Sequence, residues 1–301
     1  MRKIICDDLP KIDKLVQDVL HVDCYDSIER MGGLTNHTYH VTLNDGQGFV
    51  IRIPGEGTEE LIVRSDERKS TELACGLGVD AKLLYFGEDG SKVTEFITNA
   101  ITMSAASLKE EKHIKQVADI FKKMHTCGQN TGVPFEVFDM SAGYEDIIKN
   151  KKVPMFDDYQ EYKGKVMSIK EKIDAQIHAP KVPCHNDPLC ENWVEGDGRM
   201  YLIDWEYAGM NDGMWDIADV SIEAGFDDEH DTVLMTEYLG KEPGLLEKKH
   251  FLANKIYVDY LWTLWAKARV PYDGQPMNDW AIERYERLKL NIQAFEVLEE
   301  D

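Results

Sequence analysis

The spacing of apolar residues changes near residue 105, and this change constrains the fold of the 301-residue chain more than any other feature. Before it, residues 37–53 alternate apolar and polar side chains around an Asn44-Asp45-Gly46 turn, which predicts a β-hairpin. The same part of the chain predicts short strands at 82–86 and 91–97 and helices at 9–20 and 65–77.

Beyond residue 105 the apolar positions recur at helical spacing. Helices are predicted at 107–127, 159–177, 216–224, 230–239, 245–268 and 278–298. One hairpin interrupts them, with strands at 192–195 and 200–204 around Gly196-Asp197-Gly198. The sequence therefore predicts the α+β class, with a strand-rich amino-terminal domain at 1–98 and a helical domain at 99–301.

The charge and the cysteines restrict the class of protein. The formal net charge is −22, which disfavours nucleic-acid partners and would attract small cations. The six cysteines include no Cys-x-x-Cys pair, and Met1–Asp8 lacks the apolar core of a signal peptide, so we expect a cytoplasmic protein with reduced thiols. No run of about 18 apolar residues occurs, so membrane insertion is not expected.

The stretch Cys184–Asn192 carries the most informative motif. It contains His185, Asp187 and, five positions later, Asn192, which is the spacing of a kinase catalytic loop. Folding of the following hairpin predicts that Asn192 and Asp204 lie at the same end of it, where two hard oxygen ligands suit Mg²⁺. If the chain stays extended, Glu206 points to the same side and reaches a second metal ion. These residues together indicate phosphoryl transfer from ATP.

Two further segments carry a resemblance. Asp204-Trp205-Glu206-Tyr207-Ala208-Gly209 and Trp215-Asp216-Ile217-Ala218 resemble the choline/ethanolamine kinase family, which is similar to aminoglycoside phosphotransferases and to protein kinases. The resemblance runs from about residue 28 to 290 and is closest to bacterial choline kinases. It implies a protein kinase-like two-lobe fold, with a small antiparallel sheet and one helix in the amino-terminal lobe. The larger, mostly helical lobe would carry the catalytic β-hairpin.

The resemblance also assigns roles to single residues. Asp187 would be the catalytic base, Asn192 and Asp204 the Mg²⁺ ligands, and Arg52, paired with Glu72, the ATP-phosphate contact. The full set expected around ATP is Gly32, Gly33, Thr35, Asn36, Arg52, Glu72, Glu95 and Ile97. Backbone groups of the 94–97 segment would read adenine. The family's loop histidine, His185, would be structural, and Asp216 would hold the loop by hydrogen bonds.

The acceptor pocket is predicted from aromatic residues. Choline is a quaternary ammonium without an N–H, so a site must hold it by aromatic faces and a carboxylate. Trp262 and Trp265 are three positions apart on a predicted helix and share a face. Together with the resemblance, this gives a choline pocket of Tyr207, Glu223, Trp262, Trp265 and Trp280.

Choline kinase is the leading hypothesis, and two alternatives stay open. The first is a kinase for ethanolamine, thiamine or an aminoglycoside on the same scaffold. The second is a catalytically silent protein that binds ATP or choline, against which the presence of Asp187, Asn192 and Asp204 argues. The sequence does not indicate an oligomeric state.

Overall fold

The computed structural model describes residues 7–31, 36–55 and 63–300. Its strands are β1 Ser27–Arg30, β2 Asn36–Thr42, β3 Gly48–Pro54, β4 Leu83–Phe86, β5 Lys92–Glu95, β6 Ile101–Thr102, β7 Lys181–Cys184, β8 Trp193–Gly196, β9 Arg199–Leu202 and β10 Gly209–Asp212. Its helices are α1 Leu9–Leu20, α2 Arg64–Leu77, α3 Ala105–Leu108, α4 Glu111–His125, α5 Val137–Lys151, α6 Tyr159–Gln176, α7 Gly213–Ala224, α8 Asp228–Leu239, α9 Leu245–Asp273 and α10 Gln275–Glu300. The chain divides into two compact units.

The first unit is built on a five-stranded antiparallel sheet. It comprises the described residues up to Ser104 together with Cys190–Ala208, and its strand order is β1-β2-β3-β5-β4. Alternation along β2 and β3 places Tyr39, Val41 and Ile51 in an apolar core that also receives Ile12 and Val16 of α1. The opposite face carries Thr38, His40, Val50 and Arg52.

The β8–β9 hairpin belongs to this first unit. β6 pairs with β8, and the Met103 N–H donates to the Trp193 carbonyl at 2.8 Å. The Leu202 N–H donates to the Val79 carbonyl at 2.9 Å, which joins β9 to the segment before β4. The sequence analysis assigned this hairpin to the second domain and ended the first at residue 98. The structure differs because edge pairing with β6 attaches the hairpin to the strand-rich unit.

The second unit, Ala105–Leu189 and Gly209–Asp301, is mostly helical. The central helix α9 packs against α5, α6, α7 and α10, and α4 packs against α7 and α8. β7 and β10 form a short antiparallel pair in which Cys184 lies opposite Gly209. Because α7 begins directly after β10, this pair fixes where α7 starts relative to the loop that follows β7.

The predicted helices and the two predicted hairpins are present with ends that shift by a few residues, except that the helix predicted at 107–127 is divided into α3 and α4. α5 and the short strands β1, β6, β7 and β10 are present without having been predicted from the sequence. In the part of the chain that the structure describes, no helix is both long enough and apolar enough to cross a bilayer.

Candidate active site

Asn192 and Asp204 lie at the same end of the β8–β9 hairpin. Trp193 is opposite Leu202, and one position further out the Ile203 N–H donates to the Asn192 carbonyl at 2.9 Å. Asp204 follows directly after this last hydrogen bond. The predicted juxtaposition of the two residues is therefore present, and it brings an amide oxygen and a carboxylate to one edge of the first unit.

Asp204 has a left-handed backbone conformation, with φ of 71°. This region costs a non-glycine residue on the order of 1 kcal/mol, and aspartate and asparagine tolerate it best. The conformation turns the chain out of β9, and the Trp205 indole N–H then donates to Asp80 at 3.0 Å. The buried hydrogen bond between Trp205 and Asp80 therefore helps to keep Asp204 in this strained backbone conformation.

Glu206 does not lie on an extended strand, so that part of the prediction is wrong. The chain turns after Asp204, and the Ala208 N–H donates to the Trp205 carbonyl at 3.1 Å. The Glu206 carboxylate nevertheless accepts a hydrogen bond from Asn36 at 3.3 Å and lies 4.0 Å from the Arg64 guanidinium. Burial, together with the negative charges of Asp204 and Glu67, raises the pKa of Glu206 to about 7. This concentration of carboxylates suits a divalent cation.

A cavity of about 260 Å³ lies within the first unit and includes Asp204 in its wall. One part of the wall is apolar, formed by Met31, Val50, Ala81, Phe96, Ile97, Ala100, Val194 and Ile203. The polar part is formed by Asn36, Thr38, Arg52, Asp80, Lys92, Thr94, Glu95, Thr102 and Asp204. An apolar compartment beside cationic and carboxylate side chains is the combination that a nucleotide requires.

Arg52 is buried in this wall and pairs with Glu67. The Arg52 guanidinium lies 2.5 Å from Glu67 and donates to the Gly90 carbonyl at 2.9 Å. Burial alone would lower the pKa of Arg52, but Glu67 more than offsets it and raises it. Burial likewise opposes ionisation of Glu67, yet Arg52 lowers the pKa of that carboxyl below its usual range. The pair is therefore charged on both sides.

The predicted partner of Arg52, Glu72, is wrong. Glu72 is exposed on α2 and binds Arg68, one helical turn earlier, at 2.7 Å. Glu67 lies on the buried face of α2 and Glu72 does not, because five residues along a helix rotate a side chain well away from that face. Glu72 is also absent from the cavity wall described above.

The other residues predicted around ATP divide into two groups. Asn36, Glu95 and Ile97 contribute to the cavity wall, and the Glu95 side chain binds Lys82 at 2.8 Å. Gly32, Gly33 and Thr35 lie outside the described residues. The segment after β5, where adenine is predicted to bind, therefore contributes to the cavity wall.

The loop that carries Asp187 is held by Asp216 of α7. The backbone N–H groups of His185 and Asn186 each donate to one Asp216 oxygen at 2.8 Å. Asp216 is fully buried and also binds His125 at 3.0 Å. The hydrogen bonds predicted for Asp216 are present, and they tie the loop to the start of one helix.

Asn186 gives this loop its sharp turn. Its φ is 66°, its carbonyl accepts the Trp215 indole N–H at 3.1 Å, and its side chain accepts from Asn211 at 3.0 Å. Next to it, the Asp187 N–H donates to the His185 ring at 3.3 Å. His185 is fully buried, as expected of a structural histidine. The Leu189 N–H donates to the Asp187 carbonyl at 2.8 Å, so the loop backbone is held on both sides of Asp187.

Three tryptophans form a cluster on α9 and α10. The Trp262 and Trp265 rings are 5.9 Å apart and meet edge to face at 87°, and Trp265 and Trp280 are 5.9 Å apart at 79°. Trp262 is buried, whereas Trp265 and Trp280 are partly exposed. Tyr207 is partly exposed and belongs to the first unit.

Glu223 and Trp280 are both engaged by Arg284, a residue the sequence analysis missed. Arg284 forms an ion pair with Glu223, and its guanidinium lies 4.1 Å from the centre of the Trp280 ring. It also binds Asp259, whose second partner is Arg287 at 2.6 Å. Lys92 and Asp80 of the first unit were missed in the same way, since single charged residues carry no distinguishing signal in a sequence. Glu67 was missed as well.

Comparison with known proteins supports the kinase reading of this geometry. A family model described as "Choline/ethanolamine kinase" matches residues 28–269. The chain is 31% identical over 280 residues to the protein LicA of Haemophilus influenzae, a match that spans 90% of this chain and 79% of that protein.

Solved structures give the same result. A choline/ethanolamine kinase family protein from Mesorhizobium loti superposes with a TM-score of 0.83 at 30% identity and covers 94% of each chain. Choline kinase LicA from Streptococcus pneumoniae superposes with a TM-score of 0.81 at 29% identity, covering 96% of this chain and all of the other (100%). A LicA structure in complex with AMP has a TM-score of 0.75 at 28% identity and covers 95% of this chain and 98% of the other.

The fold and the matched families define a kinase that uses ATP to phosphorylate an alcohol group on a small molecule. The chain belongs to the choline/ethanolamine kinase family.

Proposed function

We propose that this kinase transfers the γ-phosphate of ATP to the hydroxyl of choline. The observation that carries the choice of acceptor is the edge-to-face cluster of Trp262, Trp265 and Trp280. A quaternary ammonium has no N–H to donate, and aromatic faces attract it through their quadrupoles. Ethanolamine, whose ammonium carries three N–H donors, would gain less from such a surface.

The first unit supplies the nucleotide site in this proposal. Adenine would occupy the apolar part of the cavity beside Ile97, and Arg52 would contact the phosphates. Asn192 and Asp204 would hold Mg²⁺, with Glu206 available to a second ion. When bound, the metal would neutralise charge on the transferring phosphoryl group.

The second unit supplies the acceptor side. Asp187 would accept the proton of the choline hydroxyl, and the hydrogen bonds that the loop N–H groups donate to Asp216 would keep the loop backbone rigid while it does so. Transfer of this kind depends mainly on positioning and electrostatics, so a fixed loop contributes directly to the rate. Because ATP is the phosphoryl donor, we also infer a cytoplasmic location.

A coupled ADP-release assay with Mg²⁺–ATP tests the proposal. Choline, ethanolamine, thiamine and kanamycin are offered in parallel, and Trp262→Ala and Trp265→Ala are assayed beside the wild type. We expect choline to give the highest kcat/KM, and both variants to lose at least about tenfold for choline, since a desolvated cation–aromatic contact contributes about 2 kcal/mol. The KM for ATP should stay within about twofold of the wild-type value.

Each outcome separates the alternatives. Turnover with ethanolamine, thiamine or kanamycin in preference to choline would support kinase activity but reject choline as the acceptor. Nucleotide binding without ADP release from any acceptor would support the silent binding protein instead.

A further inference from the structure

A second cavity, of about 370 Å³, lies within the second unit. Its wall is formed by the start of α5, the end of α6, the β7–β10 pair and α9. The described wall includes neither Asp187 nor any tryptophan of the proposed choline pocket. Its volume is within the range of pockets that bind small molecules. The proposed reaction leaves this cavity without a role.

The exposed part of the wall carries two ion pairs and a histidine. Lys170 binds Asp174, and Lys181 binds Glu136 at 3.4 Å. The two lysines are 35% and 47% exposed, and His178, which lies between them in the sequence, is exposed as well. Solvated ion pairs of this kind are weak, so an oxyanion that enters the cavity can replace the carboxylates as partner of the lysines.

The buried part of the wall is aromatic and includes a carboxylate. Trp215 and Tyr257 are buried, whereas the Asp212 side chain, which binds His250 at 2.5 Å, is still 25% exposed. Burial and the charges of Asp174 and Asp212 raise the pKa of the Tyr257 phenol, so both carboxylates act on this ring. Aromatic rings beside carboxylates form a favourable environment for an organic cation.

These two parts of the wall fit a ligand that carries both charges. We propose that the cavity binds a small zwitterion. Its ammonium lies against Asp212, Trp215 and Tyr257, and its oxyanion lies between Lys170 and Lys181. A ligand with a single charge would leave one part of the wall without a complementary group.

Two kinds of molecule have this chemistry. One is the product of the proposed reaction, which joins an ammonium to a phosphate, and the other is an amino acid, which joins an ammonium to a carboxylate. The inference rests on the proposed function only for the first of these sources. Phosphocholine and glycine betaine are suitable probes, because they carry the same trimethylammonium group on a phosphate and on a carboxylate.

The wall of this cavity also holds the catalytic loop. The Asn211 side chain donates to the Asn186 side chain at 3.0 Å, and the Trp215 indole N–H donates to the Asn186 carbonyl at 3.1 Å. Asp212 accepts the Met214 N–H at 2.9 Å at the start of α7, the helix that anchors the loop. An ammonium that binds Asp212 competes with this N–H, so we expect an occupied cavity to loosen the loop and lower kcat.

Titration calorimetry of the whole protein tests the site. Saturating choline is present throughout, so that the proposed acceptor pocket is filled. We expect at least one of the two probes to bind the wild type, and Lys170→Gln and Lys181→Gln each to raise its Kd at least about fivefold. Dimethylbutyl phosphate, in which a carbon replaces the nitrogen of phosphocholine, should bind at least about tenfold more weakly than phosphocholine if phosphocholine is the bound probe. Absence of binding by both probes would overturn the proposal.

Lys165→Gln is the matched control on the same helix. Lys165 is also 35% exposed, binds Glu296 at 3.1 Å and lies 5.4 Å from the centre of the Tyr162 ring, but it does not line the cavity. Lys170 likewise lies 5.2 Å from the centre of an aromatic ring, that of Phe138. The control should keep the Kd within about twofold of the wild-type value. Equal weakening in Lys165→Gln and Lys170→Gln would reflect net charge alone and contradict the site.

Steady-state kinetics measure the effect on the loop. With Mg²⁺–ATP and choline both saturating, the bound probe should lower the wild-type kcat at least about fivefold. The same probe concentration should lower the kcat of Lys170→Gln and Lys181→Gln less. Inhibition that choline relieves completely, and equally in all variants, would place the zwitterion in the acceptor pocket alone and reject the second site.

Two results distinguish this inference from the proposed function. Binding of a probe that depends on Lys170 and Lys181, by a protein that does not phosphorylate choline, would sustain the cavity site and reject the proposed reaction. Phosphorylation of choline without any binding that depends on these lysines would sustain the reaction and reject the cavity site.

Discussion

Arg52 and Glu67 are nearly inaccessible to water, at 5% and 2% exposure. Each carries a full charge because the other is 2.5 Å away. Arg64 adds a second cation to Glu67 at 2.7 Å. Such a group tolerates the loss of one member poorly, since the charges that stay behind have no solvent to stabilise them.

Glu67→Gln is therefore expected to reduce the free energy of unfolding by about 3–5 kcal/mol and to raise the KM for ATP. Glu72→Gln is the matched control on the same helix, because its exposed pair with Arg68 contributes less than about 1 kcal/mol. Urea unfolding and ATP titration of both variants measure the two quantities. Equal effects in the two variants would show that the buried pair has no special importance.

Asp187→Asn isolates the proton-accepting group. The amide keeps the side-chain volume but cannot take the hydroxyl proton, so kcat should fall by about 10²–10⁴-fold. ATP affinity should be unchanged, because the cavity wall of the first unit does not include Asp187. Near-normal turnover in this variant would remove Asp187 from the mechanism.

At this scale the sequence predicted the motif residues and missed their partners. Asp187, Asn192 and Asp204 follow fixed spacings along the chain, whereas Glu67 is selected by which face of α2 is buried. A signal was present: Glu67 shares helical spacing with the small buried residues Ser70, Thr71 and Ala74. Arg284 had no such signal, because its partners are distant in sequence.

Among the elements, α7 has the most direct effect on the site. It begins after β10, with the Asp212 side chain accepting the Met214 N–H at 2.9 Å, and its first turn carries Asp216. The pKa of Asp212 lies below its usual range: burial raises it, but hydrogen bonding with His250 more than offsets burial. The cap is therefore a charged one, which suits the positive end of a helix.

Asp216→Asn is expected to lower kcat by roughly tenfold to a hundredfold with little change in the KM for ATP. The two loop N–H groups bind different Asp216 oxygens, and in the variant one of them would face an amide NH2, which cannot accept a hydrogen bond. Asp231→Asn is the control, since Asp231 is buried in the same unit but binds Lys255 and Ser221 instead. Steady-state kinetics of both variants give the comparison, and equal kcat values would assign Asp216 a purely structural role.

The elements that were not predicted from the sequence are those whose formation depends on pairing or packing with another element. β7 contains a proline and β10 begins with a glycine, and neither shows alternation over its four residues. Their strand conformation depends on their pairing with each other, and β10 is also bonded to residues 133–135. α5 buries only Val137, Ser141 and Ile148 over its 15 residues and contains Gly143, so its apolar stripe is weak. Long amphipathic helices such as α4 were predicted because their apolar residues recur at helical spacing.

The whole chain carries a charge of −22, which affects its two substrates in opposite ways. A cationic acceptor is attracted from beyond contact distance, and anionic ATP is repelled. These long-range effects fade when salt shortens the screening length to below about 10 Å.

The KM for choline should accordingly rise at least about twofold when NaCl increases from about 20 mM to 300 mM. Dimethylbutanol, the neutral isostere of choline in which a carbon replaces the nitrogen, serves as the uncharged control. Its KM should not change with the salt concentration. Initial rates at saturating Mg²⁺–ATP provide the measurement. Equal changes in the KM of both alcohols would indicate that salt acts on the enzyme itself and not on the electrostatic attraction of choline.

The first unit is also built from two separate stretches of the chain, and this has a consequence for biosynthesis. Residues up to Ser104 leave the ribosome first, but the hairpin that pairs with β6 follows only after Ala105–Leu189. At about 5–20 residues per second, that interval lasts several seconds. During it the nascent first unit lacks β8, β9 and both proposed metal ligands. A chain arrested before Cys190 would therefore lack part of the proposed nucleotide site. The edge of β6 that pairs with β8 would be unpaired and accessible to chaperones.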